Sequence, residues 1–417
     1  MMNNLKISFV GPYSTANLGD YAMLVNNIYD FDCQDNLVFT YSNKFPKISL
    51  DMYCNNYNII YMEPKLKNNI DFDVLNNNHQ ITPIEILSSF DNLGEIIHEI
   101  EKIDLMIVSG GGWINNFWAE RKDKVFKIML PLLIAQQLNK KIIFTANGIG
   151  PIDETKEFYL QFFRYIHTAK IAIRDNFTSM SYLKEIGVKE EQVTILPDDL
   201  YIINPSIISS KRNFFIKSKN YIVMEMYYPL SVLEKNIDKI KIFAKNIKEK
   251  YDLDIVFLPY DLVYYGLDQA RYLHKNISNS EIIDIESIGF LPIQDAYHII
   301  KNAKFMISSR YHGLVLSLSV ETPVIYRILP VKEDLRYSYS KALGLLRSVF
   351  NDQLIYDSKF ISLDLFSHLE EISNNLLDII KYQKDIFSDL KYTSSKTNLK
   401  NLRKSYIESF CKDEINN

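Results

Sequence analysis

The sequence predicts an α/β protein: two Rossmann-like, doubly wound domains facing a cleft, followed by C-terminal helices. Three observations predict it. Short apolar runs alternate with helix-patterned segments through the first half, as in KISFVG (6–11), NLVFTY (36–41), DLMIVSGGG (104–112), KIIFTANGIGP (141–151), KIAIRD (170–175) and VTILPDD (193–199). That alternation is expected of a parallel sheet with helices on both faces. A second such series, YIVMEMYYP (221–229), DIVFLPYD (254–261), KFMISS (304–309) and TPVIYRI (322–328), follows the polar stretch PSIISSKRNFFIKSKN (205–220). Finally, 417 residues exceed what one hydrophobic core usually serves.

The expected organisation is a first domain over residues 1–203, a second over 218–355, and a helical segment over 356–417 that packs back on both. In the first domain GDYAMLVNNIYDF (19–31) reads as a helix, followed by helices near 122–138, 155–168 and 176–186; residues 43–100 are less regular. In the second, VLEKNIDKIKIFAKNIKEKY (232–251), IQDAYHIIKNA (293–303) and YHGLVLSLSV (311–320) read as helices. Leu365, Leu369, Ile372, Leu376, Ile379 and Ile380 recur at helical spacing, the pattern of a helix with one apolar face.

Composition narrows the function classes. Lys and Arg number 47 against 51 Asp and Glu, a formal charge of −4, so no general electrostatic attraction to nucleic acid exists. Cys33, Cys54 and Cys411 are scattered, which fits neither a disulfide framework nor a spaced metal site and points to a reducing cytoplasm. MMNNLKISFVG leads straight into a strand pattern without a secretory signal, and FKIMLPLLIAQQL (126–138) is too short to span a bilayer.

Ligands of open α/β sheets bind beyond the carboxyl ends of the strands, and five polar or glycine-rich segments fall there. GPYSTANLGDYAML (11–24) offers Asn17 as a polar handle and Asp20 near a helix start, where capping is an equal reading; neither GK[ST] nor GxGxxG is present. SGGGW (109–113), with Gly111 and Gly112, allows close approach to the backbone, by an anion or simply in a tight turn. ANGIGP (146–151) offers Asn147. Arg174 ends a strand and Asp175 can cap the next helix, while Asp198 and Asp199 can orient a basic residue or bind sugar hydroxyls. The strongest segment is SSRYHG (308–313), a strand-to-helix turn whose free N–H groups and dipole favour negative charge. Ser309 and Gly313 flank there a permanent cation, Arg310, and a group that titrates near neutrality, His312. His79, His98, His167, His274, His298 and His368 have surface-like or helical contexts.

Taken in order, NLGD, GGG, NGIGP, RDNFTSMSYLKEIG, PDD and SSRYHGLVLSLSVETPVI, within about residues 6 to 327, resemble the polysaccharide pyruvyl transferase family. The resemblance implies a GT-B-like pair of domains and transfer of the carboxyvinyl unit of phosphoenolpyruvate to a sugar as a cyclic ketal, with phosphate released. It implies that Arg310 and His312 match the family's Arg-x-His pair, Arg174 and Asp175 its Arg-Asp motif, and Asn17 and Asp20 its N-terminal loop. Family members often carry a lysine soon after the Pro-Val-Ile strand; Arg327, Lys332 and Lys341 all compete for that place.

The implied partners are phosphoenolpyruvate as donor and a nucleotide-linked, lipid-linked or polymeric sugar as acceptor, with no cofactor and no metal. A peripheral membrane contact at the inner face of the membrane is left open, as is the oligomeric state. A donor bearing a carboxylate and a phosphate calls for at least two cations, which Arg174 and Arg310 can supply. His312 is then either the proton donor to the enol CH2 or a phosphate ligand, and Asp20 the base for the acceptor hydroxyl. The rival readings are a GT-B glycosyltransferase using a nucleotide sugar and a non-catalytic glycan-assembly protein.

Overall fold

Among the described residues, nine short strands form the sheets of the first half: β1 (Lys6–Val10), β2 (Asp35–Phe39), β3 (Asn58–Met62), β4 (Leu105–Val108), β5 (Gly111–Ile114), β6 (Lys141–Phe144), β7 (Asn147–Ile149), β8 (Ile171–Ile173) and β9 (Val193–Ile195). The structure, a computed structural model, describes residues 5–13, 17–42, 44–71, 81–350 and 360–412. Ser14, Thr15 and Ala16 of the first loop, His79 and the expected 355/356 boundary lie outside them.

The strands pair in parallel in the orders β3-β2-β1-β4-β6 and β5-β7-β8-β9. DLMIVSGGG and KIIFTANGIGP were each expected as one strand, yet each breaks in two. The cause is a buried carboxylate between them. Asp199 accepts hydrogen bonds from the Gly110 N–H at 2.9 Å and from Thr145 Oγ1 at 2.7 Å, diverting both chains from their ladder. A Cβ on Gly110 would stand 2.5 Å from Asp199 Oδ2, so only glycine admits that carboxylate. Gly111 and Gly112 consequently belong to β5 rather than to a loop, with Gly111 at φ +147°, a conformation side chains resist.

The second half holds one parallel sheet of β10 (Tyr221–Glu225), β11 (Asp254–Phe257), β12 (Ser280–Ile282), β13 (Met306–Ser308), β14 (Val324–Arg327) and β15 (Ile361–Ser362). Its order, β12-β11-β10-β13-β14-β15, is the 3-2-1-4-5-6 arrangement of the Rossmann fold.

The helices that position the site or close the fold are α1 (Leu18–Phe31), α2 (Lys122–Gln137), α3 (Leu230–Tyr251), α4 (Tyr311–Ser319), α5 (Arg336–Phe350), α6 (Leu365–Ser388) and α7 (Leu390–Lys412). Leu233, Ile240, Phe243 and Ile247 of α3 share a buried stripe with Leu365, Leu369, Ile372 and Leu376 of α6. Gln383 of α6 then pairs with both backbone groups of Val324, at 2.7 and 2.9 Å. Next, α7 returns to the first half, where Tyr406 Oη donates to the Phe144 carbonyl at 2.8 Å. Arg403, buried on α7, is held by Asp30 and by Asp199. Asp199 therefore does orient a basic residue, one roughly two hundred positions further along the chain.

Among the described residues no helix is long and apolar enough to cross a membrane, and no cluster of His, Cys, Asp or Glu is arranged to hold a metal ion.

Candidate functional site

The strand order reverses between β1 and β4 in the first half and between β10 and β13 in the second, and the crevices at such points are where α/β sheets bind ligands. Here both open on one cavity of about 470 Å³. Asn17 and Asp20 reach it from the start of α1, Gly111 and Gly112 from β5, and Arg174 from the end of β8. The other half supplies Ser309, Arg310 and His312 at the β13–α4 turn, and Tyr337 and Lys341 from α5.

Asn147 and Gly313 are not among the residues lining the cavity. Asn147 is buried and donates from Nδ2 to the carbonyls of Val108 and Thr145 at 3.2 and 3.1 Å, tying the broken strand ends together. Gly313 faces its own strand: a Cβ there would stand 2.0 Å from Ser308 Oγ, so glycine lets α4 pack on β13.

His312 joins the two halves. A Cβ on Gly19 would stand 1.9 Å from His312 Nδ1, so the imidazole lies directly against the first turn of α1. Its Nε2 is buried and has no hydrogen-bond partner among the described residues. Burial, then the neighbouring cations Arg174, Lys341 and Arg310, push the imidazole down to about 4 against the opposing pull of Asp198. At neutral pH it is therefore uncharged, able to accept or donate one hydrogen bond at each nitrogen but holding no spare proton.

Arg174 is buried and donates from Nη1 to Asp198 Oδ2 at 2.8 Å, with its guanidinium carbon 4.3 Å from the Tyr311 ring centre. It is thus both paired and exposed to the cavity. Gly148 makes room for it, since a Cβ there would stand 2.7 Å from Nη2. A Cβ on Gly112 would stand 2.8 Å from Lys341 Nζ and 3.5 Å from Arg174 Nη2, so both cations converge on the bare face of that glycine. Burial and then Arg174 hold the Lys341 ammonium well below the ordinary lysine range, although Asp20 and Asp198 oppose the shift. Its Nζ also lies 3.3 Å from the centre of the Tyr337 ring. Burial, more than Arg174, therefore disfavours the ammonium, and an arriving anion would favour it.

Arg310 differs. Its Nη2 is paired with buried Asp261, and its Nε lies 3.6 Å from Glu225 Oε1. Glu225 Oε2 in turn accepts from Ser308 Oγ and from the N–H groups of Ser309 and Arg310, at 2.9, 3.0 and 2.8 Å. Burial raises the Glu225 carboxyl, opposed chiefly by Arg310.

At α1, Asn17 occupies the cap position but donates from Nδ2 to Asp20 Oδ2 at 3.2 Å rather than capping the backbone. Asp175 caps the following helix, accepting from the N–H groups of Thr178 and Ser179 at 2.8 and 3.1 Å, and lies outside the cavity lining. Of the three basic residues competing for that place, Lys341 lines the cavity; Arg327 donates to the carbonyls of Ile328 and, on β15, Ser362, and Lys332 pairs with Glu120 on the surface. Sequence reasoning misses Glu225 and Asp261: Glu225 ends β10 but lies inside the run YIVMEMYYP, whereas Asp261 closes DIVFLPYD, the position that singles out Asp198 and Asp199. None of His98, His167, His274, His298 and His368 lines this cavity.

Two Rossmann-order halves around a shared crevice are the GT-B-like arrangement. Its solved neighbours agree: the chain is similar to Anabaena Alr3699/HepE, solved with UDP and glucose, at TM-score 0.56 and 11% identity, covering 98% of this chain and 100% of that one. It is also similar to S. aureus MnaA, solved with UDP (TM-score 0.57, 12% identity, 97% of each chain covered). A third likeness is the Neisseria meningitidis UDP-GlcNAc 2-epimerase bound to UDP-GlcNAc (0.55, 11%, 96% and 100%). At such identities the likeness is one of fold. No curated protein sequence matches the chain. The sequence profile of the family described as polysaccharide pyruvyl transferase matches residues 17–327, so the chain belongs to that family and is a transferase.

Proposed function

We propose that the protein transfers the enolpyruvyl unit of phosphoenolpyruvate to a sugar of a glycan or glycan precursor, forming a pyruvate ketal and releasing phosphate. The observation that carries this reading is the corner where Arg174 and Lys341 converge on Gly112 beside the unpartnered Nε2 of His312. Two cations, a helix start and a side-chain-free glycine suit a small, multiply charged anion.

In this reading Arg174 and Lys341 take the donor's charged groups. The anion raises the His312 pKa from about 4, so that the imidazole acquires a proton only once the donor is bound. Protonation of the enol CH2 makes the adjoining carbon electrophilic, and a sugar hydroxyl adds to it as Asp20 accepts the hydroxyl proton. Phosphate leaves, taking the C–O bonding pair, and a second hydroxyl of the sugar closes the ketal as its proton passes to the departing phosphate. Arg310 fixes the turn that presents His312, through Glu225 and Asp261.

The test is phosphate release from phosphoenolpyruvate across nucleotide sugars, lipid-linked sugars and polymeric glycans, read for wild type and His312→Ala. Release with one acceptor that falls at least about 100-fold in His312→Ala supports the reading. UDP release from a UDP-sugar with no dependence on phosphoenolpyruvate would replace it with a glycosyltransferase.

A further inference from the structure

A second cavity of about 480 Å³ lies behind the first. Asp30 near the end of α1 and Ser319 at the end of α4 line it, whereas the first turns of the same helices line the candidate site. With a rise of about 1.5 Å per residue, the nine residues of α4 hold the two cavities roughly 13 Å apart.

Tyr201, Ile203 and Ile407 are buried and form an apolar floor, which Ile202 and Ile208 extend. One wall is α7, in which six residues are Lys or Arg and one is acidic, within a chain of formal charge −4. Two of its cations are engaged by carboxylates of the chain, one buried and one at the surface. Arg403 pairs with Asp30 and Asp199, and Lys396 with Glu321 at 2.7 Å. Lys400 and Lys404 stand exposed at the rim. Lys404 lies 3.7 Å from Glu408 with its side chain 73% exposed, a pairing that binds weakly in water. Leu390 and Leu402, 82% and 50% exposed, sit on the same helix.

A cavity of this size, apolar within and cationic at its mouth, suits a ligand with an apolar body and an anionic head. The geometry points to an anionic membrane phospholipid: one acyl chain occupies the cavity, its phosphate rests on Lys400 and Lys404, and α7 lies against the bilayer. This site is independent of the donor corner. It would hold the enzyme at a surface without a membrane-spanning helix, as basic helices with apolar contacts do.

The test is co-sedimentation of the full chain with phosphatidylcholine vesicles, with and without phosphatidylglycerol. Wild type should bind only the anionic vesicles. Lys400→Gln with Lys404→Gln should weaken binding about 25-fold, on the order of fivefold per lysine near an anionic surface. Ile208→Trp, which fills the cavity and leaves both lysines in place, should also weaken it; Ile202→Trp serves if that variant does not fold, as judged by near-ultraviolet circular dichroism. Absence of binding to anionic vesicles would overturn the proposal. So would undiminished binding by the folded tryptophan variant, because the lysines alone would then account for attachment.

Discussion

Arg174 and Arg310 come from opposite halves of the chain and line one cavity, but their surroundings differ. Arg174 has one carboxylate partner, Asp198, and shares its corner with a second cation, Lys341. Arg310 lies between two carboxylates, Asp261 and Glu225, with Tyr227 beneath its guanidinium at 3.9 Å. The first arrangement leaves positive charge facing the cavity; the second cancels it. Two arginines that look equivalent in sequence therefore have different surroundings, and under the proposed function the first binds the donor while the second holds the turn that carries His312.

The largest effect that would break this contrast is on stability. Arg310→Gln should lower the unfolding free energy by about 3–5 kcal/mol, because two buried carboxylates lose their cation. Urea denaturation that shows wild-type stability would mean those carboxylates do not depend on Arg310.

Gly19→Ala comes next, since its methyl group would occupy the position of the His312 ring. The expected loss is about 100-fold in kcat, the scale of an ångström's misplacement of a reacting group, with phosphoenolpyruvate affinity much less affected. Equal kcat in the variant would place the working nitrogen elsewhere.

The His312 pKa gives a smaller effect with a definite sign. Its folded value of about 4 lies below the ordinary 6.5, so the folded protein binds fewer protons than the unfolded chain between those values. Stability should rise with pH from about 4 to 6.5 and then level off, and His312→Gln should flatten that slope. In an NMR titration, phosphoenolpyruvate should move the His312 midpoint upward by about two to three units, toward neutrality; an unmoved midpoint would separate the histidine from the anion.

The smallest effect is at Asn147. Asn147→Ser should lower stability by about 1 kcal/mol, the scale of a hydrogen bond lost at the strand breaks, and leave the donor's KM unchanged. A changed KM would return Asn147 to the site.

How far the sequence carried this picture depends on the range of the interactions. Periodicity places the strands and most helices, and strand-end position alone singles out Asn17, Asp20, Arg174, Arg310 and His312. Distant partners were invisible. The strand breaks at Gly110 and Thr145 come from Asp199, and the neutralisation of Arg310 comes from Glu225, 85 positions upstream. Lys341 could not be separated from Arg327 and Lys332, because only the path of α5 decides which reaches the cavity. Nor does the sequence show what Gly19 is for: it sits in the first turn of α1, and its value is the space it leaves for His312.

The most direct test of the account is a calorimetric titration of phosphoenolpyruvate into wild type, Lys341→Gln and Arg310→Lys. Loss of the Lys341 charge should weaken binding about tenfold or more, the scale of a charge-assisted hydrogen bond, while Arg310→Lys should change it by only about twofold, because its charge is already balanced. The reverse order, with Arg310→Lys crippled and Lys341→Gln unaffected, would contradict the placement of the donor beside Arg174 and Lys341.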